Sequence, residues 1–221
     1  MQEVSIYQVD AFTSKAFGGN PAAICPVDSF PDDEVMQAIA RENNLSETAF
    51  IVPVSPEDVG EKCDYYLRWF TPTIEVDLCG HATLAAAYVV FTHLEPGCER
   101  VRFETRSGCM LAVKDAATGR IHLHFPRLAP QLVSIPDGLT EALGVPIMEV
   151  RHRDRDFLIR CADERMIERM HPNMTALEAL APFGFIVTAP AGEQANVGKE
   201  TDPVDFVSRC FFPNHGIPED P

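Results

Sequence analysis

Basic residues are scarce in this chain. Eighteen Lys and Arg stand against 33 Asp and Glu in 221 residues, a formal net charge of −15. Phosphate backbones are bound by clustered Lys and Arg, so nucleic acid is excluded as an expected partner. Long hydrophobic runs are also missing. The longest, Ala82 to Phe91 with Thr83 inside it, is about half of the roughly 20 residues that cross a bilayer. No membrane partner is expected. The N-terminus lacks a basic stretch followed by an apolar core and does not read as a signal peptide. The seven Cys, at 25, 63, 79, 98, 109, 161 and 210, are odd in number and contain no Cys-x-x-Cys. Neither a disulfide framework nor a zinc ribbon is expected, and the compartment reads as reducing and cytoplasmic. A Gly-rich dinucleotide fingerprint and a phosphate loop with its Lys are both absent.

What is present is an ordinary globular balance, with 46% hydrophobic and 23% charged residues. The length suits one large domain or two small ones. Residues 4–9 alternate as a strand. Phe17-Gly18-Gly19-Asn20-Pro21 marks a tight turn before a short strand at 22–25. Pro31-Asp32-Asp33-Glu34 opens a helix that fades at Asn43-Asn44, with Val35, Ile39 and Met36 on its apolar face. Strands are expected at 48–52, 65–70, 102–105, 110–114 and 121–125. Leu84 to Phe91, entered at Cys79-Gly80-His81, is apolar all round and reads as a buried central helix. Pro126 and Pro130 bracket a boundary between units 1–127 and 128–221. Beyond it, helices at 139–143 and 176–180, strands at 157–160, 183–188 and 206–212, and a loop at 190–204 are expected. Strands and helices mix without a regular βα beat, which favours an α+β fold of antiparallel character.

One segment is echoed. Asp64 to Pro72 matches Asp205 to Pro213 at a constant offset of 141 (205 − 64), with Asp, Arg, Phe and Pro identical at matched positions. The same offset sets Cys79 against Asp220. Two copies of one unit follow, each a strand, a Pro turn and a helix entry at Cys79-Gly80 or Asp220-Pro221. In the second copy the chain stops at Pro221, so the matching helix is missing and the second half is expected to be incomplete.

Several side chains could carry chemistry. Glu47 lies between a polar turn and an apolar strand, where a carboxyl turned into a cleft can serve as acid and base; the alternative is a capping or solvated Glu. Gly80-His81 opens the buried helix, whose free N–H groups favour a carboxylate. His81 could relay a proton, or simply pack there. Cys79 could be a thiolate at the helix start, though a small buried thiol is the plainer reading. Asp220 could orient a substrate or be frayed at the terminus. Gly18-Gly19-Asn20 could offer donors to a ligand, but reads first as a turn. His122 and His124 share a strand face without a third ligand and read as surface residues. Arg151, Arg153, Arg155, Arg160, Arg165 and Arg169, interleaved with acids, read as a solvated, salt-bridged face.

Taken together, Asp10-Ala11-Phe12-Thr13, Phe17 to Pro21, Asn44 to Thr48, Arg68 to Pro72, Cys79 to Thr83 and Gly216 to Pro221 resemble the phenazine-biosynthesis-like (PhzF-like) family of the diaminopimelate epimerase superfamily. The animal phenazine-biosynthesis-like-domain proteins look especially close. The resemblance implies two similar α+β halves, each a curled, mainly antiparallel sheet around a central helix, with the active site in the cleft. It implies a cofactor-independent isomerase, with Glu47 as general acid/base and His81 and Asp220 assisting proton movement. Gly18, Gly19, Asn20, Cys79 and Gly80 would bind a small carboxylate-bearing substrate, cyclic or an amino or hydroxy acid. No cofactor and no metal are implied. Only one of the two epimerase cysteine positions is Cys here, Cys79 but not Asp220, which argues against a two-thiol racemase. Family members continue past the Glu-Asp-Pro run, so this chain is expected to be a shortened form. A biosynthetic role, a cytoplasmic location and a homodimer are further expectations. The alternatives are a non-catalytic binding protein on the same scaffold, with a protein partner, and an inactive truncated isoform.

Overall fold

The computed structural model describes residues 3–55, 63–125, 127, 129–153, 156–180, 184–192, 204–215 and 217–220. The chain divides into two compact units, Met1–Pro126 and Arg127–Pro221.

The first unit runs β1 (Tyr7–Ala11), β2 (Asn20–Pro26), α1 (Asp33–Asn43), β3 (Glu47–Pro53), β4 (Tyr65–Phe70), β5 (Glu75–Val76), α2 (Gly80–Val89), β6 (Arg100–Thr105), β7 (Gly108–Lys114) and β8 (Ile121–His124). These strands form one sheet in the order β1-β2-β3-β4-β6-β7-β8, with β5 beside β4. Pairing is antiparallel except at β2–β3 and β4–β6. Helix α2 touches β1, β2 and β3 near one end of that order and β8 at the other. A sheet that meets one helix from both ends is curled around it. Composition explains the fit: Ala82, Ala85, Ala86, Ala87 and Val89 are fully buried. Small side chains let strands β1, β2, β3 and β8 approach the helix closely, and a mostly apolar helix lies largely inside, with only Tyr88 strongly exposed.

Local details differ from the sequence expectations. The first strand begins at Tyr7 rather than residue 4. The central α-helix ends at Val89, and Val90–Leu94 form a π-helical turn. The β-branched pair Val89-Val90 stands at that change of winding. In α1 the buried stripe is Met36 and Ala40 with Ile39 partly covered, whereas Val35 is 47% exposed. Val35 falls one step off the i, i+4 line that faces β3 and β4. His122 and His124 are exposed on β8 while Ile121 and Leu123 pack inward. The cysteine count suggests no disulfide framework, yet one bond is present: Cys63 and Cys109 are joined, 46 residues apart in sequence with Cα atoms 6.5 Å apart. Their encounter depends on the β4–β6–β7 neighbourhood, which Cys counting cannot reveal.

The second unit contains β9 (Gln131–Val133), α3 (Leu139–Leu143), β10 (Glu149–Arg153), β11 (Asp156–Arg160), α4 (Glu164–Arg169), α5 (Met174–Leu180), β12 (Phe185–Pro190), β13 (Phe206–Phe212) and β14 (Ile217–Asp220). Its sheet has the order β14-β13-β12-β11-β10-β9, antiparallel except at β11–β12. Leu139, Leu143, Ile167 and Leu177 from the helices pack with Val150, Ile159, Phe185, Val187 and Phe211 from the sheet. Strand β10 and helix α4 are not apparent in the sequence because charge interleaving hides their short apolar patterns, and β9 is only three residues long. Arg151 pairs with Glu149, and Arg160 approaches the same carboxylate at 3.9 Å. Arg155 and most of the expected 190–204 loop lie outside the described residues. No second central helix occurs among the described residues of this unit.

The internal echo has a physical counterpart. Matched strands β4 and β13 begin at the matched residues Tyr65 and Phe206. Arg68 Nε donates to Glu75 Oε1 at 2.7 Å, and its guanidinium lies 5.2 Å from the Phe70 ring centroid. Arg209 Nε donates to Glu219 Oε1 at 2.7 Å and lies 5.1 Å from the Phe211 centroid. Matched arginines thus make matched carboxylate and aromatic contacts. Asp220 is the last residue of β14 and pairs with Cys210; it is extended, as its counterpart Cys79 is before α2, and the expected helix entry at Pro221 lies outside the described residues. A strand partner was available at that edge, and extended pairing satisfies the backbone groups there.

Candidate active site

The N-terminus of α2 brings three chemically active side chains together. Cys79 caps the helix in an extended conformation, with φ −145° and ψ 115°. Thr83 ties this turn twice: its N–H donates to Cys79 O at 3.3 Å and its hydroxyl to the same oxygen at 2.5 Å. The turn is therefore rigid where Gly80 and His81 begin the helix. Glu47 is the first residue of β3 and sits opposite Ala22 of the parallel strand β2. Curling of the sheet around α2 carries the start of β3 to the start of the helix.

Glu47 and His81 are each only 5% exposed. His81 Nε2 stands 3.1 Å from Glu47 Oε2. The separation suits an ion pair, but the alignment is not that of a hydrogen bond, and neither atom has a hydrogen-bond partner among the described residues. Buried polar atoms left this way cost roughly 1–3 kcal/mol each, so such a pair is a common mark of a site awaiting a ligand. On the other side of the ring, His81 Nδ1 lies 3.4 Å from Cys79 Sγ. One carboxylate, one imidazole and one thiol thus offer atoms within 4.8 Å of one another. The imidazole turns a different nitrogen to each neighbour. That order suits proton transfer along Cys79, His81 and Glu47, since a proton accepted at one nitrogen can be released at the other. When the thiol donates to Nδ1, the proton resides on Nε2 and faces Glu47.

Gly80 leaves the helix entrance open. A Cβ built there meets only the Phe125 ring, at 3.6 Å from Cζ. Phe125 is 47% exposed and follows β8. A substrate carboxylate at this entrance would meet the free amides and positive end of the helix.

The Gly18-Gly19-Asn20 turn is organised mainly by its own backbone. Gly19 has φ +67°, and a Cβ there would fall 1.9 Å from Ala11 O. Only Gly fits both the left-handed conformation and the close approach. Phe17 N–H donates to Asp10 Oδ2 at 2.9 Å, and Gly18 N–H to Lys15 O at 3.3 Å. Asn20, 3% exposed, accepts a hydrogen bond from Ser46 Oγ at 3.2 Å. Ser46 directly precedes Glu47, so the parallel β2–β3 register sets Asn20 beside the chain segment that carries the carboxylate.

Asp220 belongs to the second unit and is half-buried in β14. Burial pushes the thiol of its strand partner Cys210 up to about 11, helped by the Asp220, Asp156 and Glu219 charges. Its neighbour Glu219 is held below the ordinary carboxylate range by its hydrogen bonds from Arg209.

Three contributors to this region went unread in the sequence. Ser46 looked like a local cap, and only strand pairing reveals its bond to Asn20. Phe125 carried no signal beyond its place in a strand. Trp69 is the chain's one Trp and shares a core cluster with Cys79. Its indole Nε1 is buried without a hydrogen-bond partner among the described residues. Rarity could have flagged it, but not shown which way the indole is enclosed.

A family model described as phenazine biosynthesis-like protein matches residues 9–221. A Pseudomonas aeruginosa protein named as an uncharacterized isomerase is 46% identical over 219 residues, covering 99% of this chain and 77% of that protein. The phenazine biosynthesis-like domain-containing protein of Rattus norvegicus is 37% identical over 229 residues, covering 99% of this chain and 79% of its own length. Among solved structures, a phenazine biosynthesis PhzF family protein of Enterococcus faecalis superposes with a TM-score of 0.81 at 41% identity. It covers 98% of this chain, which spans 76% of that one. The architecture is accordingly the α+β, diaminopimelate epimerase-like fold expected from the sequence.

Proposed function

Because the chain belongs to the phenazine biosynthesis-like protein family, we propose that it works as an isomerase that moves a proton on a small carboxylic acid, with Glu47 as general acid and base. The observation that supports this reading is the buried Glu47–His81 pair, 3.1 Å apart with neither facing atom hydrogen-bonded among the described residues. A carboxylate in that state can take a proton from a C–H beside a carboxyl or other electron-withdrawing group. It can then return a proton to a different carbon, or to the other face of the same one. The oxidation level does not change, so the reaction needs no redox partner.

Each neighbour has a part in that scheme. His81 steadies Glu47 as its charge changes and passes protons through Nδ1 towards Cys79. The open helix entrance at Gly80 takes the substrate carboxylate, which aligns with the helix dipole. Asn20, held by Ser46, presents its amide to the substrate, while Gly18 and Gly19 shape the turn that places it. The aromatic edge of Phe125 at Gly80 favours a cyclic substrate over a long flexible one.

The test is proton exchange in deuterated water with a panel of cyclic amino and hydroxy acids, followed by mass spectrometry and proton NMR. Carbon-bound deuterium should accumulate with the parent chain. Glu47→Gln keeps the shape but removes the base, and should slow exchange about 10²–10⁴-fold, the usual worth of a positioned acid/base. Equal exchange by parent and variant would overturn the assignment.

A further inference from the structure

A second cluster of reactive side chains lies away from the α2 entrance. Cys63 precedes β4, Glu104 is on β6 and Cys109 is on β7. Glu104 and Cys109 are direct partners in the antiparallel β6–β7 ladder, so their side chains share a face. The Cys63 and Cys109 sulfurs are bonded, and Glu104 Oε2 lies 3.2 Å from Cys63 Sγ. All three ligand-type atoms fall within 4.8 Å of one another.

The scaffold around them is stiff. Asp64, next to Cys63, donates its N–H to Arg102 O at 2.8 Å, and its carboxylate accepts from Arg102 N–H at 2.8 Å. The hairpin beside Cys109 is closed by Thr105 Oγ1 donating to Gly108 O at 2.7 Å. Arg106 of that hairpin pairs with Glu75 and Asp77, and Arg102 pairs with Asp64. No ion pair to Glu104 occurs among the described residues. Cys63 is buried and Cys109 exposed, so one sulfur anchors the cluster and the other admits reagents.

We propose that Cys63, Glu104 and Cys109 form a redox-gated site for a thiophilic divalent cation of the zinc class. In the oxidised state the two sulfurs are bonded to each other and the site is closed. A small dithiol supplies two electrons and two protons, becomes a disulfide itself, and leaves two free thiols. A zinc-class ion then displaces both thiol protons. It binds two thiolates and the Glu104 carboxylate, with water as fourth ligand in a tetrahedral set. Reoxidation by a peroxide takes two electrons from the thiolates and two protons from solvent, reduces the peroxide to water and, for an organic peroxide, the alcohol, re-forms the disulfide and releases the ion to solvent. Either state links the segment before β4 to the β6–β7 hairpin. The site differs from the Cys79–His81–Glu47 set in residues and position, and stands independently of the proposed isomerase.

Cobalt(II) is the probe, because thiolate ligation gives it a near-ultraviolet charge-transfer band and tetrahedral geometry gives strong visible bands. The whole chain is titrated after dithiol treatment and after peroxide treatment, with zinc(II) competition as the return arm. One equivalent should bind per reduced chain with both band sets, and zinc should displace it. The oxidised chain should lack the bands. Cys63→Ser and Cys109→Ser should each abolish the charge-transfer signal of this site, while Cys98→Ser should keep it. Glu104→Gln should weaken binding by more than the roughly 10–100-fold lost with an outer-sphere partner. Comparing the two redox states of the unmutated chain protects the test from variants that fold poorly. Cobalt uptake by the reduced chain no better than by Cys109→Ser would overturn the proposal, as would equal uptake by reduced and oxidised chains.

Discussion

Glu47 Oε2 and His81 Nε2 face each other at 3.1 Å inside the first unit, although one opens a strand and the other a helix. Neither has a hydrogen-bond partner among the described residues. The contact is made by the curl of the sheet around α2, and it makes the stability of the unit and the chemistry of the entrance interdependent.

Truncating His81 should therefore be costly in two ways. In His81→Ala the Glu47 carboxyl stays buried and loses its counterpart, which should destabilise the chain by ~1–3 kcal/mol in urea unfolding. Glu47→Gln should cost less, since it removes a charge without leaving a hole. A double-mutant cycle should give a coupling energy of at least ~0.5 kcal/mol. Strictly additive losses would show that the two side chains do not sense each other.

Glycine tolerance should separate two kinds of turn. Gly19 combines φ +67° with a Cβ position 1.9 Å from Ala11 O, whereas Gly97 has φ +98° and nothing within 4 Å. Gly97→Ala should cost only the conformational penalty, ~1–2 kcal/mol. Gly19→Ala must also move the β1 backbone and should lower the unfolding midpoint further. Similar midpoints would mean that the β1–β2 turn can rearrange freely.

Helix α2 should resist enlargement. Ala86 is fully buried, and Ala86→Leu should destabilise by ~1–3 kcal/mol through overpacking. Ala38 lies on the exposed side of α1, and Ala38→Leu should stay within ~0.5 kcal/mol of the parent. Thermal melts of both variants read the contrast directly.

The Arg209–Glu219 pair predicts an acid-side dependence. Arg209 holds Glu219 below its ordinary value of 4.5 in the folded chain. A depressed carboxyl stabilises the fold above its unfolded value, and the contribution fades as pH falls from about 4.5 through the folded value. The side chain is 41% exposed, so solvent limits the effect to ~0.2–1 kcal/mol. Glu219→Gln should flatten the stability-against-pH curve in that window and leave its shape near neutrality unchanged. A difference confined to neutral pH would contradict the assignment.

Thiol reactivity should follow burial. Burial pushes the Cys25 thiol up to about 12 and Cys210 up to about 11. Only the thiolate attacks disulfide reagents. In the native chain a chromogenic disulfide reagent at neutral pH should label the half-exposed Cys98 well before Cys25. Peptide mapping with and without denaturant checks the order, and Cys25 should react only on unfolding.

Much of this was legible in residues 64–125. The aromatic-rich run Tyr65 to Phe70 and the Gly-turned run from Arg102 to His124 specify strands, because aromatic and β-branched residues favour strands and Gly supplies the turns between them. The all-apolar stretch after Cys79 specifies an interior helix. In α1 the pattern indicated a helix but misplaced its buried stripe onto Val35, since neighbouring strands decide which of two adjacent apolar positions is covered. Strand β10 was illegible because Arg and Glu occupy its half-exposed face. Asp220, matched to Cys79 by offset, is extended as Cys79 is, but its place at the end of β14 beside Cys210 depends on strand pairing that the offset does not express.

By itself the sequence determined the periodic elements, the two-unit echo around Arg68 and Arg209, and the short list holding Glu47, Cys79 and His81. Local sterics and hydrophobic spacing act within a few residues, so they are written in the order of the chain. Tertiary structure alone decided that the carboxylate meets the imidazole, that Ser46 holds Asn20, and that Cys63 finds Cys109 beside Glu104. Those contacts join positions far apart in sequence. They exist only because strand pairing and the curl around a small-residue helix bring them within a few ångströms.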